Sequence, residues 1–134
     1  MKVLILKKRK DFVRAAKGYK SVMPTLILQA AQSLSMRNKE VLQDGCYLGF
    51  TATKKLGKAH LRNRTKRRLR AAARLCFPEL AKAGLDYVLI GRYNTADAKF
   101  ERLVSDMKRA IGTINSQIEA EETAHHEISD DCAD

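Results

Sequence analysis

Apolar positions along this chain repeat with two different periods. Leu48, Phe50 and Ala52 alternate with Gly49, Thr51 and Thr53, the two-residue period of a strand with one buried face. Leu61, Thr65, Leu69, Ala72, Ala73 and Cys76 recur at steps of three and four. That spacing predicts a helix from Ala59 to about Cys76, with Pro78 just beyond it as a stop. Phe100, Leu103, Val104, Met107, Ile111 and Ile114 form a second helical stripe. Thr95 is placed to cap that helix, Asp97 suits its first turn, and Gly112 weakens it late. Thr25 to Ala31 reads as a strand, and Asp86 to Arg92 as a continuous apolar strand buried on both faces. Arg9 to Lys17 has helical character closed by Gly18, and Lys2 to Leu6 allows one further strand. The polar segment 37–45 ends in the turn signal Asp44-Gly45 and predicts a long loop. The strands on either side of it would then form an antiparallel hairpin. After Ile118 the apolar pattern disappears.

These elements predict an α+β fold, a small mostly antiparallel sheet packed with helices, in the order α-β-β-(β)-α-β-α with the bracketed strand optional. Residues 1–118 form the domain, and residues 119–134 are expected to be a disordered acidic tail. At 134 residues and 45% apolar content the chain can bury one core. Tryptophan is absent, and four Phe and four Tyr are the only aromatics. Cys46, Cys76 and Cys132 are odd in number and far apart, which excludes a disulfide scaffold and argues against a zinc ribbon. No apolar run approaches the ~20 residues of a membrane span, and none suits a signal peptide, so the expected location is cytoplasmic.

Charge narrows the function. Lys and Arg number 26 against 15 Asp and Glu, a net charge of +11. Seven of the acids lie between Glu119 and Asp134, where there is no Lys or Arg, so residues 1–118 carry 26 basic against 8 acidic groups. A body that basic calls for a polyanion, nucleic acid before a membrane surface. Between Lys54 and Arg74 stand ten basic side chains and no acid. Arg62, Lys66, Arg70 and Arg74 share one helix face, and Arg64 and Arg68 another. Like charges four apart destabilise a helix by ~0.2–0.5 kcal/mol each. A solvated face normally mixes signs, and this one does not. Phosphates, which accept bidentate Arg hydrogen bonds, would offset the repulsion, and the helix start after a glycine loop favours an anion as well.

The string from Thr53 to Arg70, a KKxGxA loop running into RNRxKRxxR, resembles the signature of the bacterial ribonuclease P protein subunit. The resemblance extends from about Leu6 to Ile118 and takes in Leu6 and Phe12, Leu48-Gly49-Phe50 and Asp86-Tyr87. It implies a ribosomal S5 domain 2-like fold with a left-handed βαβ crossover through the basic helix. It implies a protein cofactor of a ribozyme that removes the 5′ leader of precursor tRNA. Catalysis is expected in the RNA subunit, with Mg²⁺ held mainly by that RNA and no organic cofactor. The partners implied are the catalytic RNA and precursor tRNA, with no membrane and no protein partner. Carried over by position, Lys54, Lys55, Lys58, Arg62, Asn63, Arg64, Lys66, Arg67, Arg68 and Arg70 face the catalytic RNA. Asn63 can pin the loop or contact a 2′-hydroxyl. The leader cleft receives Phe12, Ile27, Gln29, Thr51 and Arg92. Relatives often carry aromatics at positions 16 and 29, where this chain has Ala16 and Gln29, which leaves Phe12 as the stacking candidate, with a plain core role equally open.

The residues themselves offer no nuclease centre. The eight acids of the body are scattered, and His60 has no carboxylate or second His beside it in sequence. His125-His126-Glu127 could bind a metal only weakly. The alternative function is a general RNA-binding or ribosome-associated protein. A protein-only metal-dependent nuclease ranks last. The acidic tail could fold back on the basic face and compete with loosely bound RNA.

Overall fold

The computed structural model describes residues 2–33 and 45–133, with side chains as far as Glu121. Five strands and three helices follow in chain order: β1 (Lys2–Ile5), α1 (Arg9–Ala16), β2 (Tyr19–Val22), β3 (Leu26–Gln32), β4 (Gly45–Thr51), α2 (Ala59–Leu80), β5 (Leu85–Gly91) and α3 (Phe100–Ala133). The strands form one sheet in the order β1-β4-β5-β3-β2. The α+β class and the optional first strand are as expected. The sheet is mixed, however, rather than mostly antiparallel. β4 pairs in parallel with both β1 and β5, while β3 pairs antiparallel with both β5 and β2.

The expected hairpin between β3 and β4 does not form, because β5 lies between them. The reason is in β5 itself. All but one of its seven residues are buried, so both faces need cover and both edges need a neighbour. Only the middle of the sheet offers that. The unit β4-α2-β5 is consequently a parallel crossover. Segment 37–44, expected as a polar loop, lies outside the described residues.

Alternation along the strands gives the sheet two working faces. Leu26 and Leu28 of β3, Leu48 of β4 and Tyr87 and Leu89 of β5 point toward α2 and α3. They pack there on Leu69, Cys76 and Phe77 and on Leu103, Met107, Ile111 and Ile114. Phe77 meets Tyr87 edge to face at 5.2 Å, an orientation the ring quadrupoles favour. Truncating one of these fully buried leucines to alanine would cost about 2–5 kcal/mol. On the other face α1 lies across β3 and β5 and makes a smaller cluster of Leu6, Ala15 and Val88 with Phe12, Tyr47 and Ile90. At eight residues α1 covers only part of this face.

Three element boundaries differ from the pattern. α2 runs through Pro78 to Leu80. A proline in the last turn removes a single N–H, and the helix closes at once through the Ala81 N–H on the Phe77 carbonyl. α3 starts at Phe100 instead of after Thr95, whose buried hydroxyl is used elsewhere: it donates to the Thr25 carbonyl at 2.6 Å and accepts from the Arg92 N–H at 2.7 Å. At its other end α3 continues as backbone helix through Ala133, where an unstructured tail was expected. Residues 119–133 contain neither Gly nor Pro, and the end of the apolar stripe removes packing partners without removing helix formers. The side chains of His125, His126 and Cys132 lie outside the described residues.

Candidate nucleic-acid interface

The basic segment begins in a tight loop. Residues Lys54–Leu56 make one 3-10 turn, and Gly57 follows at φ 116°. A side chain there would be strained, so glycine is what lets the loop double back into α2. α2 opens on Lys58 with no side-chain cap and no acid in its first turn. Lys54, Lys55, Lys58, His60, Asn63, Arg64, Arg67 and Arg70 are exposed, while Arg62, Lys66 and Arg68 are half-buried.

No ion pair within 4 Å joins any basic side chain of the loop or α2 to a carboxylate among the described residues. Several of the body's acids are committed elsewhere. Asp86, buried in β5, accepts from Arg14 of α1 at 2.7 Å, and Asp11 holds the same guanidinium at 3.2 Å. Asp106 of α3, fully buried, accepts from the Thr25 N–H and hydroxyl at 3.2 and 2.8 Å and pairs with Arg102 at 3.3 Å. The Arg14–Asp86 and Thr25–Asp106 bonds fasten α1 and α3 to the rest of the fold, so neither of these two buried acids serves as a counter-charge to the α2 cations. Burial pushes the Asp86 carboxyl above the ordinary carboxylate range, although Ser33 and Arg14 favour its charged form. Burial, with the Asp86 charge, also pushes the Cys46 thiol up to about 12, and burial raises that of Cys76. Both cysteines are therefore inert packing groups at neutral pH.

Three open concavities flank the exposed side of α2. His60, Asn63, Lys66, Arg67 and Arg70 line one. Arg64, Arg67 and Arg68 line a second, facing the start of α3. Arg70 and Arg74 border a third, more apolar one beside β1, and Arg70 stacks 5.5 Å above the Phe50 ring. Arg68 differs from the rest. Its guanidinium reaches back to the loop before α3, donating to the Ala96 carbonyl at 2.9 Å and to that of Ala98. Much of its hydrogen-bonding capacity therefore goes to holding the fold together.

The expected cleft residues come together on the α1 side of the sheet. Ile27 and Thr51 flank Ile90 in register, and Gln29 and Gly49 flank Val88. The Phe12 ring lies so close to Gly49 that a Cβ there would sit 2.4 Å from Phe12 Cζ. Phe12 thus packs on the sheet and borders the uncovered strip at the same time. Gln29 is 9% exposed, a floor residue. Arg92 is half-buried and donates to the Met23 carbonyl at 3.0 Å.

The family model for ribonuclease P matches residues 1–115. The chain belongs to the ribonuclease P protein family. It is 40% identical to the ribonuclease P protein component of Ruegeria pomeroyi over 116 residues, 85% of this chain and 88% of that one. It is 43% identical to that of Paramagnetospirillum magneticum over 112 residues, 83% and 82% of the two chains. Among solved structures, the RNase P protein of Staphylococcus aureus superposes with a TM-score of 0.64 at 26% identity, covering 84% of this chain and 95% of that one. The Thermotoga maritima RNase P protein gives 0.59 at 26% identity, covering 78% and 94%. Membership gives this chain its role, that of the protein component of the ribonuclease that matures tRNA 5′ ends. Among the described residues no helix is long and apolar enough to cross a membrane.

Sequence reasoning missed the Arg14–Asp86 and Thr25–Asp106 locks, and that Lys99 and Phe100 share a concavity with Arg64. The only sequence signals for the locks were an acid beside the apolar run of β5, at Asp86, and an acid next to the stripe residue Met107, at Asp106.

Proposed function

We propose that this ribonuclease P protein binds the catalytic RNA through residues 54–58 and the solvent face of α2, and takes the 5′ leader of precursor tRNA in the strip beside α1. One observation carries the proposal: a block of cations on a rigid helix with which, among the described residues, no carboxylate forms an ion pair. Guanidinium groups so placed engage phosphates without first breaking internal pairs. Lys54, Lys55, Lys58, Arg62, Arg64, Lys66, Arg67 and Arg70 supply the charge. Asn63, exposed on the same side, supplies an amide that can meet a 2′-hydroxyl. Arg68 holds the α3 approach in place while lining the same surface.

The leader runs over Ile27, Thr51 and Gln29, with Phe12 offering its free ring edge or face and Arg92 closing one end. Ala16 and Gln29 narrow the aromatic contribution to Phe12, so the grip depends mainly on shape and charge.

Bond cleavage belongs to the RNA. Magnesium is assigned mainly to the RNA as well; among the described residues no three His, Cys, Asp or Glu side chains converge. The protein's contribution is to offset repulsion between substrate and catalytic RNA and so lower the magnesium concentration they need. The test is reconstitution. Adding the chain to its cognate RNA subunit at low Mg²⁺ should raise precursor-tRNA cleavage well above that of the RNA alone. Binding to the RNA with no stimulation would instead mark a general RNA-binding protein.

A further inference from the structure

We infer that the concavity between α2 and the start of α3 receives one unpaired nucleotide of the catalytic RNA, its base stacked on Phe100 and its phosphate held by Arg64, Arg67 and Lys99. This rests on the proposed binding of RNA along α2 and adds a base-contacting site beside it.

Aromatic side chains are scarce here, and their placement is informative. Phe77 and Tyr87 are fully buried, and Phe12, Tyr19, Tyr47 and Phe50 are partly buried. The two exposed ones are Tyr93, in the stretch joining β5 to α3, and Phe100, the first residue of α3. Phe100 is 39% exposed and takes no part in the core that the rest of the α3 stripe builds. It borders a wide, open concavity whose other walls are Arg64, Arg67, Arg68, Ala71, Ala98 and Lys99.

The lining has the composition a nucleotide requires. It has four cations and no carboxylate, one aromatic ring, and two alanines whose short side chains leave room for a planar base. Phosphate meets the cations, and the base meets the ring. The site is also held rigid. Arg68 fastens the carbonyls of Ala96 and Ala98, two residues before Phe100, so the ring's position is tied to α2. The nucleotide must be unpaired, because a base within a helix has both faces covered by its neighbours. Stacking on Phe100 would be tolerant of base identity, since every base has a π-face.

Binding of the full-length chain to its cognate RNA subunit, measured across a salt series, separates this site from the underlying RNA contact. Phe100→Leu keeps an apolar side chain but removes the ring. It should weaken binding about 10-fold with the slope of log K against log[salt] unchanged, because stacking releases no counterions. Phe100→Tyr should restore the affinity. Arg67→Ala should weaken binding and make the slope shallower by about one. Normal affinity in Phe100→Leu, with Arg67→Ala weakened as stated, overturns the stacking site and leaves the α2 contact standing. Normal affinity and slope in Arg67→Ala overturns the α2 contact itself. Ultraviolet crosslinking of the unmodified chain guards against a folding defect in the variants. A Phe100 adduct on a single unpaired nucleotide supports the site, and adducts confined to paired segments overturn it.

Discussion

Arg67 and Arg68 are neighbours in sequence and opposites in use. Arg67 is exposed and borders two concavities, whereas Arg68 is half-buried and bonded to two backbone carbonyls. Arg64→Ala should therefore change unfolding free energy by less than about 0.5 kcal/mol while weakening RNA binding, as expected of an exposed cation. Arg68→Ala should cost about 1–3 kcal/mol, because it strands buried acceptors. Urea titrations of the two variants would separate them, and equal stability would refute the anchoring role. Helical spacing reveals which arginines share a face, but not which one turns inward. The partners of Arg68 lie 28 and 30 residues away and have no side-chain signature. Phe100 was misread for a related reason: the three-four step assigns it to the stripe, yet at the first turn it overhangs the core. Asp86 carries a pH signature. Its folded-state carboxyl lies above the unfolded value of 3.8, so the folded protein holds that proton more tightly. Stability from this group falls as pH rises from 3.8 through the folded value. Asp86→Asn should accordingly gain stability relative to the parent between pH 4 and pH 7, and a constant difference across that range would contradict the raised value.

At the scale of elements, strong periodicity was legible and pairing was not. The α2 and α3 stripes, the β3 and β4 strands and the doubly buried β5 all stood out in the pattern. β2 did not, since four residues at a sheet edge with one fully buried position give too short an alternation to detect. The β3-β4 hairpin failed because sequence order was taken for spatial order, although a β5 apolar on both faces already required the centre of the sheet. Two glycines test the packing of the elements. Gly112 lies within α3 with nothing within 4 Å of where a Cβ would sit. Gly112→Ala should raise stability by about 0.5–1 kcal/mol, read from the urea midpoint, and a loss would mean that the helix is interrupted there. Gly49 is the converse, for its missing side chain is what lets Phe12 lie on the sheet. Gly49→Ala must displace that ring, and Phe12→Ala removes it. Both should weaken binding of leader-bearing precursor more than of mature tRNA, whereas equal losses on the two substrates would detach the cleft from the leader.

Over the whole molecule, charge is sorted by location. Asp86 and Asp106 are spent fastening α1 and α3 to the rest of the fold, one helix presents a one-signed face, and seven of the fifteen acids crowd the last sixteen residues. The helical backbone of α3 bears on the expectation that this acidic end folds back on α2. From Phe100 to Glu121 the helix rises about 30 Å, and Tyr19 of the edge strand β2 donates to Glu121. The start of the acidic stretch is thereby held beside β2. The sheet divides the labour: one face builds the core beneath the α2 cations, and the other forms the strip beside α1. Because that division depends on unpaired positive charge, it can be weighed by salt. Binding to the cognate ribonuclease P RNA should fall with log[salt] at a slope of about −4 to −7, as for ~6–8 phosphates engaged. Replacing Arg64, Arg67 and Arg70 together by Gln should make that slope shallower by about three. An unchanged slope in the triple variant would mean that the RNA does not lie on α2.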